Sequence, residues 1–269
     1  MKMNWRHDYH VHSRLSKCAA EHTDQTPENI YAFALAHGYD SICLTDHMWD
    51  AAVPGASHWY ESQTEEWVRQ SLPLPEGDIP FFFGCEGEFV GGDRLSVSPE
   101  ALARMDFVPV ALNHFHMPAY VSPEQLETPQ MAADLFASRL EDFSRLDLPW
   151  EKIGIAHPTC KLIVGHHTEY TPFDVFDRFD LERMRPVFRD FAAKGAGIEL
   201  NGSSLALFRD APESVARIFV LARDCGCKFY CGSDAHSLRE LASVEQSSAP
   251  VVEYLELREE DRYRIPTRK

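Results

Sequence analysis

No apolar run in this 269-residue chain approaches the roughly 20 residues needed to span a bilayer, so no membrane-crossing helix is expected. Residues 1–6 are polar and lead straight into a strand-like run, which leaves no apolar core for a secretory signal. Positive charge is scarce. The 26 basic side chains stand against 42 acidic ones, for a net charge of -16, and this argues against nucleic acid or an anionic membrane as a partner. Any phosphate affinity has to be local, and bound divalent cations would offset part of the acidity. The seven cysteines are odd in number and scattered, without the two CxxC-like pairs of a zinc knuckle, so reduced thiols and a cytoplasmic location are expected. Cys225, Cys227 and Cys231 read as small buried hydrophobes. No repeat, low-complexity tract or linker divides the chain. Residues 1–269 are therefore expected to form one domain, a length that suits an α/β barrel.

Within that length, short apolar runs alternate with helical patterns. Residues 8–12, 41–45, 80–86, 107–112, 152–156, 196–200 and 228–231 read as strands, most of them nearly continuous apolar runs, as in parallel strands covered on both faces. Helical patterns cover residues 27–36, about 131–146, 181–194 and about 212–225. The alternation predicts a parallel α/β sheet or barrel, and seven strands suit a barrel one short of the usual eight. Two long irregular segments, residues 49–78 and 114–129, are expected to wall the pocket rim.

Metal-friendly side chains stand at the carboxyl ends of these strands. His10 and His12 close the first and point the same way, because strand side chains alternate with period two. Asp46 and His47 follow the second, Glu86 ends the third, His114 and His157 follow the fourth and fifth, and Asp234 and His236 follow the seventh. Strand carboxyl ends carry the active site in α/β barrels. Imidazole and carboxylate in this mixture suit zinc, iron or manganese. Asp8 and Asp46 read as groups that orient ligand histidines, or else as surface acids. His7, His37 and His58 are expected to be solvated. His166 and His167 are either loop residues or substrate contacts, and His116 is either a supporting group, an acid or a bystander.

The motifs Asp8-Tyr9-His10-Val11-His12-Ser13, Leu44-Thr45-Asp46-His47, Gly84-Cys85-Glu86, Leu112-Asn113-His114, Ile155-Ala156-His157-Pro158 and Cys231-Gly232-Ser233-Asp234-Ala235-His236 come in this order over roughly residues 8–240. In combination they resemble the polymerase and histidinol phosphatase (PHP) superfamily of metal-dependent phosphoesterases. The resemblance implies a distorted seven-stranded TIM-like (β/α)7 barrel holding two or three divalent ions, Zn, Mn or Fe. It implies one ion on His10, His12, Glu86 and Asp234, a second bridged by Glu86 and held by His114 and His157, and a third on His47 and His236. Where the family often has a His or acidic ligand for the third ion, this chain has Cys18. That thiol either binds the ion or packs, leaving His22 or water in its place.

The implied activity is phosphomonoester hydrolysis by a metal-activated hydroxide, on a small phosphorylated metabolite such as histidinol phosphate. Arg209 is the candidate phosphate partner, with Lys161 and Arg14 behind it. Two other readings stand beside this one. A metal-dependent amidohydrolase also opens with HxH and ends with a catalytic Asp, but it typically uses a single late Asp and often a bridging modified lysine, where this chain has Asp234-Ala235-His236 and Glu86. A noncatalytic metal-binding module is the other. Oligomeric state is not legible.

Overall fold

In the computed structural model, which describes residues 5–266, strands and helices alternate as the hydrophobic pattern requires. The strands are β1 (His7–Val11), β2 (Ser41–Leu44), β3 (Phe81–Phe83), β4 (Gly87–Glu88), β5 (Val108–Ala111), β6 (Ile153–Ile155), β7 (Gly197–Asn201) and β8 (Lys228–Gly232). The helices are α1 (Pro27–Ala36), α2 (Glu65–Val68), α3 (Pro99–Arg104), α4 (Pro129–Ser144), α5 (Pro172–Phe176), α6 (Leu181–Lys194), α7 (Gly202–Ala206), α8 (Pro212–Asp224) and α9 (Ser243–Tyr254). Helix starts follow local chemistry. Thr26 and Thr128 cap α1 and α4 with their hydroxyls, each followed by a proline whose missing N–H costs nothing at that position. Gly195, at φ 85°, ends α6 in the left-handed conformation that glycine adopts without strain.

All strand pairs are parallel and form two sheets, β1-β2-β3 and β4-β5-β6-β7-β8. The sheets meet at both seams. Val11 bridges Ala235, with His12 N–H donating to Ala235 O (3.1 Å) and Asp234 N–H to His10 O (2.8 Å). At the other seam Gly84 bridges Phe107 and His47 bridges Glu86. This closure is consistent with a TIM-like barrel. Tyr9, Phe107 and Tyr230 come from both sheets or their edges and lie within 6.3 Å of one another by ring centroid, filling the interior as barrel side chains do. Outside the longer sheet, Phe136, Leu140 and Phe143 of α4 join Phe188 and Phe191 of α6 and Phe219 of α8 in the main core. Each is worth about 1.5–3 kcal/mol of transfer free energy.

The expected single third strand, residues 80–86, is divided. The chain leaves β3 at Gly84, whose N–H still donates to Leu44 O (2.8 Å) while the residue bridges Phe107 of the other sheet. A Cβ at Gly84 would stand 2.0 Å from Phe107 O, so only glycine permits this crossing. Among the described residues the strands number eight, in two sheets, rather than the seven expected. Among the described residues no helix is long and apolar enough to cross a membrane, and all seven cysteines are free. Residues 1–4, part of the polar lead-in, lie outside the described region.

His7 also departs from expectation, being fully buried on β1 rather than solvated. Its Nε2 accepts the Cys231 N–H at 2.9 Å and must stay unprotonated. Burial first, then Arg262 and Arg264, push its pKa well below the ordinary value. The unfolded chain takes up a proton at this residue below about pH 6.5 and the folded chain does not, so His7 removes stability as pH falls, at roughly 1 kcal/mol per pH unit. Urea unfolding between pH 6.5 and about 5.5 should therefore cost the wild type roughly 1 kcal/mol more than His7→Gln. Equal losses in the two proteins would refute this account of His7.

Candidate metal centre

The nine side chains expected as ligands converge at one end of the strands. Three groups have ligand atoms all within 4.8 Å of one another: His10, His12, Glu86 and Asp234; Glu86, His114 and His157; and His12, Cys18, His47 and His236. Glu86 and His12 each belong to two groups, so the three are contiguous. Glu86 Oε2 lies 2.8 Å from His47 Nδ1, 3.4 Å from His10 Nε2 and 3.5 Å from His12 Nε2, while its Oε1 lies 2.9 Å from His157 Nε2. Asp234 Oδ1 is 3.1 Å from His12 Nε2. The candidate ligands His10, His12, Glu86, His114 and His157 are buried, whereas Cys18 is exposed and His236 partly so.

Partners that sequence reasoning missed decide which nitrogen each imidazole turns inward. His10 Nδ1 lies 2.8 Å from Glu199 Oε1, and His114 Nδ1 lies 2.7 Å from Glu88 Oε2. A carboxylate only accepts, so both Nδ1 atoms carry hydrogen. Ser16 Oγ donates to Asp46 Oδ1 (2.6 Å) and so must accept from His12 Nδ1 (3.1 Å), as it does from His47 N–H (3.0 Å). Asn113 spends its Nδ2 on His157 O (2.9 Å), which leaves its Oδ1 to accept from His157 Nδ1 (3.2 Å). As neutral imidazoles, the form in which they would bind a metal, all four rings thereby turn the Nε2 lone pair to the centre. Such outer partners fix the tautomer and raise ligand basicity.

Asp46 thus supports His12 and His47 through Ser16, in line with the orienting role expected of it. Asp8 does something else. It accepts from the Ser233 and His10 N–H groups, tying β1 to β8, and burial raises it to about 7 despite those bonds. The available sequence signal for Glu88 and Glu199 was a carboxylate inside an apolar strand segment, which is kept only when partnered.

His10 Nε2, His47 Nδ1 and Glu86 Oε2 are buried and face one another without forming a well-aligned hydrogen bond. Burial opposes charge on His10, yet Glu199, Glu86 and Asp234 lift its pKa well above the ordinary value. Burial likewise opposes ionisation of Glu86, but His47 and His10 bring it well below the carboxylate range. Although Cys18 is exposed as a residue, desolvation around its sulfur disfavours the thiolate, yet the imidazoles of His47 and His236 lower it to about 7. Imidazoles and carboxylates crowded within ligand distance of one another, with a thiol of lowered pKa alongside, form a donor set that fits divalent metal ions. Backbone strain adds to this. His157 and Asp234 hold φ at 28° and 56°, values that non-glycine residues adopt mainly where the surroundings over-determine them. For His157 those surroundings are Glu199 Oε2, which accepts its N–H at 2.6 Å, and Asn113 on its carbonyl. Gly232 lets the strands close in, since a Cβ there would stand 2.0 Å from Glu199 Oε1.

Above the centre lies a pocket of about 630 Å³, walled by residues 57–60 and 116–119 of the two long loops, with Leu162. His58 is exposed at its edge and His116 is half-buried. Burial first, then His114, lowers His116 to about 4, which makes it a poor proton donor at neutral pH. Arg209 is not brought to this site. It is exposed at the end of the turn after α7 and is not among the pocket's lining residues, and neither is Lys161 or Arg14.

No protein-family model matches the chain. It is 24% identical over 245 residues to a probable phosphatase of Caldicellulosiruptor bescii, an alignment covering 91% of this chain and 87% of the relative. A probable phosphatase of Caldicellulosiruptor saccharolyticus matches with the same identity and coverage. Among solved structures, the fold is similar to that of a histidinol phosphate phosphatase from Lactococcus lactis, complexed with zinc, L-histidinol and phosphate. The TM-score is 0.61 at 17% identity, covering 94% of this chain and 95% of that one. With phosphatase relatives along most of its length and this shared fold, the chain's resemblance to the PHP superfamily, carried by its six motifs, is borne out.

Proposed function

We propose that this protein is a metal-dependent phosphomonoester hydrolase with a di- or trinuclear centre, acting on a small phosphorylated metabolite. The observation that carries the reading is the contiguity of three metal-capable groups through Glu86 and His12, with buried nitrogen and oxygen atoms facing one another without a well-aligned hydrogen bond. His10, His12, Glu86 and Asp234 would hold one ion, Glu86, His114 and His157 a second, and Cys18, His47 and His236, beside His12, a third. Ions so held supply an acidified water as nucleophile and neutralise charge developing on the phosphate.

The chain's own contribution is positioning. Glu199, Glu88, Ser16 and Asn113 hold four imidazoles in one tautomer, and the two loops close the pocket sides against water. No lysine or arginine lines the pocket among the described residues, so the phosphate charge falls to the metal groups. The same lack of lysine, with Glu86 at the bridging position, disfavours an amidohydrolase centre.

The test is to strip the protein with a chelator, reload it with zinc, manganese or iron(II), and screen phosphorylated metabolites. Histidinol phosphate comes first because the structural neighbour was solved with L-histidinol and phosphate. Turnover should vanish on chelation and return on reloading. Stoichiometric metal uptake with no phosphoester turned over would favour the noncatalytic module instead.

A further inference from the structure

From the pocket walls we infer that the site takes the monophosphate ester of an uncharged alcohol bearing an aromatic or bulky apolar group. This rests on the phosphomonoesterase reading and adds the substrate class. Trp59 and Met117 stand on different loops but belong to one apolar cluster with Trp49, Tyr60, Val90 and Tyr120. Trp59 packs edge-on against Tyr60 (4.7 Å) and against the His47 ring (4.9 Å), so its indole adjoins the metal centre directly. Behind it Trp49 stacks on Tyr120 at 5.2 Å, and the Tyr60 hydroxyl donates to Glu88 Oε2 at 3.0 Å. The wall is therefore braced before any ligand arrives, which lowers the ordering cost of binding. Pro118, Ala119 and Leu162 extend the apolar lining, and about 630 Å³ is room for a ring-bearing leaving group.

Charge on the walls decides the class further. Among the described residues, the carboxylates lining the pocket are Glu86 and Asp234, both within the metal-capable groups. An ammonium on the alcohol would lose its water and find no carboxylate of its own. A second phosphate would meet neither arginine nor lysine. An apolar ring instead gains wherever it covers Trp59, Met117, Pro118, Ala119 or Leu162.

The experiment uses the full zinc-loaded chain and matched, non-hydrolysable phosphonates measured by calorimetry, alongside hydrolysis of the corresponding phosphates. Phenylpropylphosphonate should bind roughly tenfold or more tighter than aminopropylphosphonate. Trp59→Ala should remove about tenfold of that affinity while weakening methylphosphonate, which reports on the phosphate position alone, far less. Ala119→Glu, at an exposed wall position, should improve the aminopropyl compound. Aminopropylphosphonate binding as tightly as the phenylpropyl compound, or Trp59→Ala weakening methylphosphonate equally, would overturn the inference. Preference for the phenylpropyl phosphonate with neither phosphate hydrolysed would uphold the pocket assignment and sink the hydrolase reading instead.

Discussion

Glu86→Gln is expected to lower kcat of the metal-loaded protein on a phosphomonoester by roughly 10³-fold, with the fold retained. Glutamine keeps the size and one accepting oxygen but removes the charge, and at this position the charge is shared. Glu86 oxygens stand within 3.5 Å of nitrogens on His10, His12, His47 and His157, and the residue belongs to two of the three metal-capable groups. Its amide would also turn N–H toward cations. Metal content measured on the same preparation should fall along with kcat, and circular dichroism should match wild type. If kcat stays within tenfold of wild type and metal stoichiometry is unchanged, the shared-carboxylate centre is wrong.

Glu199→Gln should weaken metal binding by about 10–100-fold without touching any ion directly. Glu199 uses its two oxygens for different jobs: Oε1 accepts from His10 Nδ1 at 2.8 Å and Oε2 from His157 N–H at 2.6 Å. A glutamine can accept at only one of these, so the other donor faces an amide N–H inside a fully buried site. The loss of orientation at His10 or His157 should appear in a competitive chelator titration, with a stability loss of about 1–3 kcal/mol in the metal-free protein from the unmet donor. Glu88→Gln is the internal comparison. Glu88 Oε2 alone accepts from both His114 Nδ1 (2.7 Å) and the Tyr60 hydroxyl (3.0 Å), so one amide oxygen can serve both. Its effect should be the smaller of the two. An unchanged chelator titration for Glu199→Gln would mean that the outer carboxylate does not set the ligand geometry.

Much of this centre was legible in one dimension. His10 and His12 stand two apart on a strand, and Glu86, His114, His157 and Asp234 fall at strand ends, so local periodicity was enough to bring them to one face. The helices α1 and α6 were likewise legible to the residue, because proline, capping side chains and a terminal glycine act within a few positions. His7 was misjudged because its burial depends on Cys231, which lies 224 positions away. The third strand was misjudged because its break at Gly84 answers to the carbonyl of Phe107, a residue outside that segment. Arg209 was a reasonable phosphate partner by chain position after β7, but the turn that carries it leaves it exposed and away from the pocket lining.

The sequence by itself determined the donor types, their order and their placement at strand ends, since side-chain chemistry and the period-two and helical repeats are local properties. Only the tertiary structure decided that Glu86 and His12 are shared between groups, and which imidazole nitrogen faces inward. It also decided that an apolar wall without lysine or arginine stands over the centre. These depend on atoms meeting across long stretches of chain, as His10 meets Glu199 over 189 positions, and such meetings are settled by strand register and sheet closure rather than by neighbouring residues.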